Sequence, residues 1–192
     1  MHISDGIISV PVCLAANAAS VIIIYQIGKK TEPEDIPKMG MMGAALFVAS
    51  LVHFPLAGAS IHLGLFGLAG IILGKRAFPV IFTALLLQSL IFQHGGLLTV
   101  GVNSINMGAG AFVAMLLWRW RSLPEYVRAL LAGFAGIIVP VTLMAIEFQL
   151  SGYGRGIVYL LSIYLLAALV ESGITLSIVK FFRSVKSDIL PL

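Results

Sequence analysis

Residues 129–146 read ALLAGFAGIIVPVTLMAI, an 18-residue run without a charged side chain, bounded by Arg128 and Glu147. At about 1.5 Å of rise per residue, roughly 20 apolar residues cross a hydrocarbon core about 30 Å thick. The run therefore predicts a membrane-crossing helix over residues 125–148. Pro124 stands in its first turn, where a missing N–H costs nothing. Pro140 lies inside it and is expected to kink it.

Working outward, similar apolar segments occur near 7–28, 39–54, 58–74, 77–93, 103–118 and 157–182, with Pro79 in the first turn of the fourth. Of the 192 residues, 59% are hydrophobic and 10% charged, and mean hydropathy is +1.05. A soluble domain carries about 25% charged residues. The fold class is an all-α integral membrane protein of seven helices, with residues 1–192 forming one transmembrane domain. No nucleotide-binding loop or other energy-converting module fits among these segments. The net charge of +4 is spread along the chain rather than gathered in one patch, so no nucleic-acid partner is expected. A single cysteine, Cys13, excludes an internal disulfide and a cysteine-based metal cluster; it reads as a small packed or lipid-facing residue. A cleaved leader is not expected, because residues 1–6 carry Asp5 and no lysine or arginine.

Charge sets the orientation. With alternate loops on alternate sides, one side receives Lys29, Lys30, Lys38, Lys75, Arg76, Arg119, Arg121, Arg128, Lys180, Arg183 and Lys186, and the other only Arg155. The basic side faces the cytoplasm, which puts the N-terminus outside and the C-terminus inside. His2, Asp5, His53, His62, His94 and Glu147 then lie at or near the outer side.

The chain begins Met1-His2. A free amine, the His2 backbone nitrogen and its Nδ1 can close two fused chelate rings on one ion. Three nitrogens in a plane suit a metal that favours square-planar or tetragonal coordination, Ni²⁺ or Cu²⁺, with Co²⁺ fitting if the geometry changes. A fourth nitrogen is needed, and histidine is its usual supplier. His62, in Gly58-Ala59-Ser60-Ile61-His62-Leu63-Gly64, is a candidate on the same side. His53 fits an interfacial residue better, and His94 stays open. Met-His alone is a weak signal; three further histidines on the same side give it weight.

Several residues together resemble a known family. Met1-His2-Ile3-Ser4-Asp5-Gly6, the Gly58–Leu63 block with Gly70 and Gly74, and QSLIFQHGGLLTVGVNSINM at 88–107 are similar to the CbiM/NikM family. These are the cobalt/nickel substrate-binding subunits of energy-coupling factor transporters. Glu147 in AIEFQLSG and Glu171 in VESGIT resemble later, weaker blocks. The resemblance implies seven helices with the N-terminal residues folded into the bundle. It implies Ni²⁺ or Co²⁺ as transported substrate, held by Met1, His2 and His62, with no organic cofactor and no catalysis. It also implies separate partners: a membrane coupling subunit, two cytoplasmic ATPases and a small accessory membrane subunit, at the cell membrane. Ser4 stands where the family usually has proline. His94 stands where an acidic residue is common, which makes it a rival or additional ligand.

Asn103 and Asn106 open the fifth helix and read either as caps or, with Ser60, as support around the ligands. Glu171, in mid-helix where a charge is expensive, reads as packed and hydrogen-bonded or as part of a partner surface. Glu147 reads as a cation attractor or a wet residue. Two rivals remain. One is a substrate-binding subunit for a small organic molecule such as a vitamin. The other is an intramembrane serine protease built on Ser60, disfavoured because no histidine follows residue 94 to serve as its base.

Overall fold

A computed structural model describes residues 2–56, 59–153 and 157–191. The helices are α1 (Val10–Gly28), α2 (Ile36–Leu51), α3 (Phe66–Leu73), α4 (Ala77–Phe92), α5 (Val100–Trp118), α6 (Glu125–Leu150) and α7 (Ile157–Val185). Between α2 and α3 lies a small antiparallel hairpin, β1 (His53–Leu56) and β2 (Ala59–His62). Among the described residues, five helical stretches are long and apolar enough to cross a membrane: α1, the broken stretch Phe66–Phe92, α5, α6 and α7. The chain is thus an all-α membrane protein with one hairpin inserted.

That hairpin corrects the segment expected at 58–74. Helix begins at Phe66, and His53 pairs with His62 across two short strands. Pro55 removes a backbone donor that a helix would need, while its register opposite Ser60 at a sheet edge tolerates the loss. α2 runs 36–51 rather than 39–54, and α5 starts at Val100 rather than 103. α6 continues through Pro140.

Every residue of the eight-residue α3 is buried. It fits between α5 and α6 because small residues line the contacts. A Cβ on Gly136 would overlap the Gly67 backbone, and one on Gly70 would overlap the carbonyl of Ala111. Close backbone approach of this kind is how helices associate in a solvent as apolar as their side chains. α6 and α7 pack along their length, with Ser172 Oγ donating to the Leu130 carbonyl at 2.7 Å. At one end of that pair Arg183 forms a forked ion pair with Glu125, Nη2 to Oε2 at 2.7 Å. α1 lies at the periphery and exposes Val10, Val12, Leu14, Val21 and Ile22, as a lipid-facing helix should. Its Cys13 is fully buried.

Candidate metal centre

The start of the chain enters the bundle along the N-terminus of α5. Ile3 is fully buried, so its backbone groups need partners. The side-chain amide of Asn103 supplies both: Ile3 N–H donates to Oδ1 at 2.8 Å, and Nδ2 donates to the Ile3 carbonyl at 2.9 Å. Thr99 Oγ1 donates to the same carbonyl at 2.7 Å. Two residues on, the Thr99 N–H donates to Asp5 Oδ1 at 3.0 Å. α1 is held in place by Asn17, whose Nδ2 donates to the Leu98 carbonyl at 2.7 Å and whose Oδ1 accepts the Gly101 N–H at 2.9 Å.

Room for this strap comes from two glycines. Gly95 has φ +81°, and a Cβ there would stand 3.3 Å from the Cβ of His2; a Cβ on Gly96 would overlap the Asp5 carboxylate. The left-handed turn at Gln93 (φ 52°) ends α4. The chain then folds back, with the His94 N–H donating to the Gln88 carbonyl at 3.3 Å.

His62 arrives from the opposite direction, at the end of β2. It is 3% exposed, and its Nδ1 lies 3.1 Å from the Leu63 carbonyl. If Nδ1 carries the proton and donates there, Nε2 keeps a lone pair for a metal. The loop after it, residues 63–65, includes Leu65 in the left-handed region (φ 51°). Its backbone N–H groups at Gly64 and Leu65 donate to the carboxylate of Glu171, a residue of α7 that is 1% exposed. Glu171 thus anchors the turn that carries His62.

The result is a cluster of His2, His62 and His94, whose ligand nitrogens all lie within 4.8 Å of one another. The rings of His2 and His62 stack with centroids 4.9 Å apart, and His94 meets His2 edge-on at 4.3 Å. With bonds of about 2.0–2.1 Å, nitrogens on opposite sides of an ion stand about 4 Å apart. Adjacent nitrogens in a plane stand only about 3 Å apart, so the side chains need to close by up to about 2 Å to share one ion. Three imidazoles, that of His62 buried and those of His2 and His94 half-buried, suit a borderline transition metal.

Other expected residues fall as follows. Met1 lies outside the described residues, as do the side chains of Ser60 and His53. Asn106 donates from Nδ2 to Glu147 Oε2 at 2.7 Å. Neither asparagine caps α5, since both sit inside it and Thr99 takes the cap position. Thr99, Asn17 and the link from Glu171 to Gly64 were not foreseen. A polar Asn17 inside an apolar helix was the available signal, because such residues usually face the bundle interior.

Comparison with known proteins places this geometry. A profile for the family described as "Cobalt uptake substrate-specific transmembrane region" matches residues 2–189. The cobalt transport protein CbiM of Sorangium cellulosum is 30% identical over 212 residues, covering 99% of this chain and 94% of that one. The fused nickel transport protein NikMN of Rhodobacter capsulatus is 30% identical over 162 residues, 77% of this chain. The match spans 47% of that longer relative. A crystal structure described as a transition metal transporter superposes with a TM-score of 0.82 at 25% identity, covering 96% of this chain and 93% of that one. The chain belongs to the family of cobalt uptake substrate-specific transmembrane regions.

Proposed function

We propose that this chain is the metal-capturing membrane subunit of an energy-coupling-factor-type importer, with Ni²⁺ or Co²⁺ as transported substrate. It catalyses no reaction; ATP hydrolysis belongs to partner chains, namely two cytoplasmic ATPases joined through a membrane coupling subunit, with a small accessory membrane subunit. The chain acts as one unit of seven helices in the cell membrane. Its N-terminus faces outside and its C-terminus the cytoplasm, as the eleven-to-one division of basic residues supports. The observation that carries the reading is the histidine cluster: positions 2, 62 and 94 meet within 4.8 Å inside a membrane bundle.

Within that cluster the ligands are the Met1 amine, the backbone nitrogen and Nδ1 of His2, and His62 Nε2. Two features support this set. Residues 3–5 are strapped to α5 by Asn103 and Thr99, which fixes where His2 sits. The Leu63 carbonyl beside His62 Nδ1 favours Nε2 as the nitrogen that meets the metal. The proximity of His94 supports a second coordination, through three imidazoles without the amine.

Equilibrium Ni²⁺ binding separates the two. The chelate reading expects loss of binding on His62→Ala and on blocking the amine by N-terminal fusion, with binding kept in His94→Ala. The three-imidazole reading expects the fusion to bind and His94→Ala to fail. Failure to bind Ni²⁺ or Co²⁺ at all would sink both.

A further inference from the structure

Away from the histidines, a groove of about 740 Å³ runs between α1, α4 and α5. Ile22, Ile23 and Ile27 of α1, Phe78 of α4, and Ile105 and Phe112 of α5 line its body. Four cations gather at one end: Lys30, Lys75, Arg76 and Arg119. Arg76 is committed to Asp35 at 2.6 Å. The side chains of Lys30, Lys75 and Arg119 are exposed and make no ion pair among the described residues, and no acidic residue lines the groove. Exposed Trp120 follows Arg119, and tryptophan at the surface marks the level of lipid headgroups.

The groove's length fits its polarity. From Ile22 to Gly28, where α1 ends, the helix rises about 9 Å, and from Ile105 to Arg119 the rise is about 21 Å. Half of a hydrocarbon core is about 15 Å. The groove is therefore apolar over roughly the depth of one leaflet and cationic where that leaflet ends. An extended apolar chain with an anionic head uses both parts of the site.

We propose that this groove binds one anionic phospholipid, with an acyl chain along Ile22, Ile105 and Phe112 and the phosphate between Lys30, Lys75 and Arg119. Three basic residues at about fivefold each (about 1 kcal/mol per residue near an anionic surface) give roughly a hundredfold preference over a zwitterionic lipid. The site shares no residue with the histidine cluster, so it stands or falls independently of the metal reading.

The test is native mass spectrometry of the full chain in detergent micelles with equal amounts of dioleoyl phosphatidylglycerol and dioleoyl phosphatidylcholine. One phosphatidylglycerol should be retained per protein, and phosphatidylcholine should not. Lys75→Gln with Arg119→Gln should lower retention about 25-fold, from two charges at about fivefold each. Ala109→Phe, which fills the groove and keeps every cation, should abolish it. Lys180→Gln with Lys186→Gln, elsewhere on the basic side, should change nothing. The charge variants are surface substitutions, so the test holds even where Ala109→Phe does not fold. Equal retention of both lipids would overturn the proposal, as would equal loss in the Lys180/Lys186 control. Displacement by inorganic phosphate alone would reduce the site to an anion site and also overturn it. So would a photo-crosslinker at residue 109 that captures a polypeptide instead of lipid in native membranes.

Discussion

Replacing Asn103 by leucine tests whether the strap on residues 3–5 sets metal affinity. Leucine nearly conserves volume in a site 3% exposed, so no large void opens. Two hydrogen bonds to Ile3 vanish, at 2.8 and 2.9 Å. The Ile3 carbonyl keeps Thr99 Oγ1 at 2.7 Å, but the Ile3 N–H is left buried without that acceptor. An orphaned buried donor costs about 1–3 kcal/mol. Charged against the docked terminus, that lowers the binding-competent fraction, and apparent affinity falls by the same factor. The expected loss is about 5- to 150-fold in Ni²⁺ affinity. Asn103→Asp keeps an acceptor for Ile3 N–H and should lose less. The assay is isothermal titration of Ni²⁺ into protein with its native free N-terminus, beside thermal unfolding to show that the bundle persists. Unchanged affinity in Asn103→Leu, while His62→Ala is impaired, would refute the strap as a positioning device.

The other expectations are shorter. Glu171→Leu leaves the N–H groups of Gly64 and Leu65 without their acceptor, at about 1–3 kcal/mol each. Both the melting temperature in detergent and Ni²⁺ affinity should fall, and Glu171→Gln, which keeps an acceptor oxygen, should recover most of each. Metal ligation needs a neutral amine, a deprotonated amide and neutral imidazoles, so binding releases protons. Affinity should drop as pH falls from about 8 to about 6, more steeply than a single imidazole gives; a flat profile would contradict amine and amide ligation. A cysteine at Tyr153 should label with an impermeant reagent from outside the cell, and one at Thr31 or Lys186 should not. The reverse pattern would invert the orientation.

What the sequence made legible follows from what a membrane demands. Runs such as 129–146 have to be helical, since lipid offers backbone groups no other partner. The bounds of α4, α6 and α7 could therefore be read to within a few residues. The stretch His53–His62 could not. In a bundle apolar on all sides, neither the helical nor the strand period stands out, and a short hairpin looks like any short apolar segment. α3 was read too long for a related reason: its start at Phe66 depends on Glu171, 106 positions from Leu65, and no local signal encodes it. That the histidines share one side is an expectation legible in the charge pattern alone. Their meeting was not, because it depends on Gly95 and Gly96 admitting the N-terminal strap and on the turn at Gln93 folding His94 back. Asn103 carried two local readings, cap or support, and only its distance to Ile3 separates them.

The central claim is that a planar nitrogen site at His2 and His62 holds the transported ion. Its most direct test is the visible absorption and magnetic state of the Ni²⁺-loaded protein with a free N-terminus. A diamagnetic, yellow, square-planar Ni²⁺ species at one ion per chain, abolished by His62→Ala, is the predicted result. A paramagnetic six-coordinate spectrum, or a planar spectrum that survives His62→Ala, would contradict it.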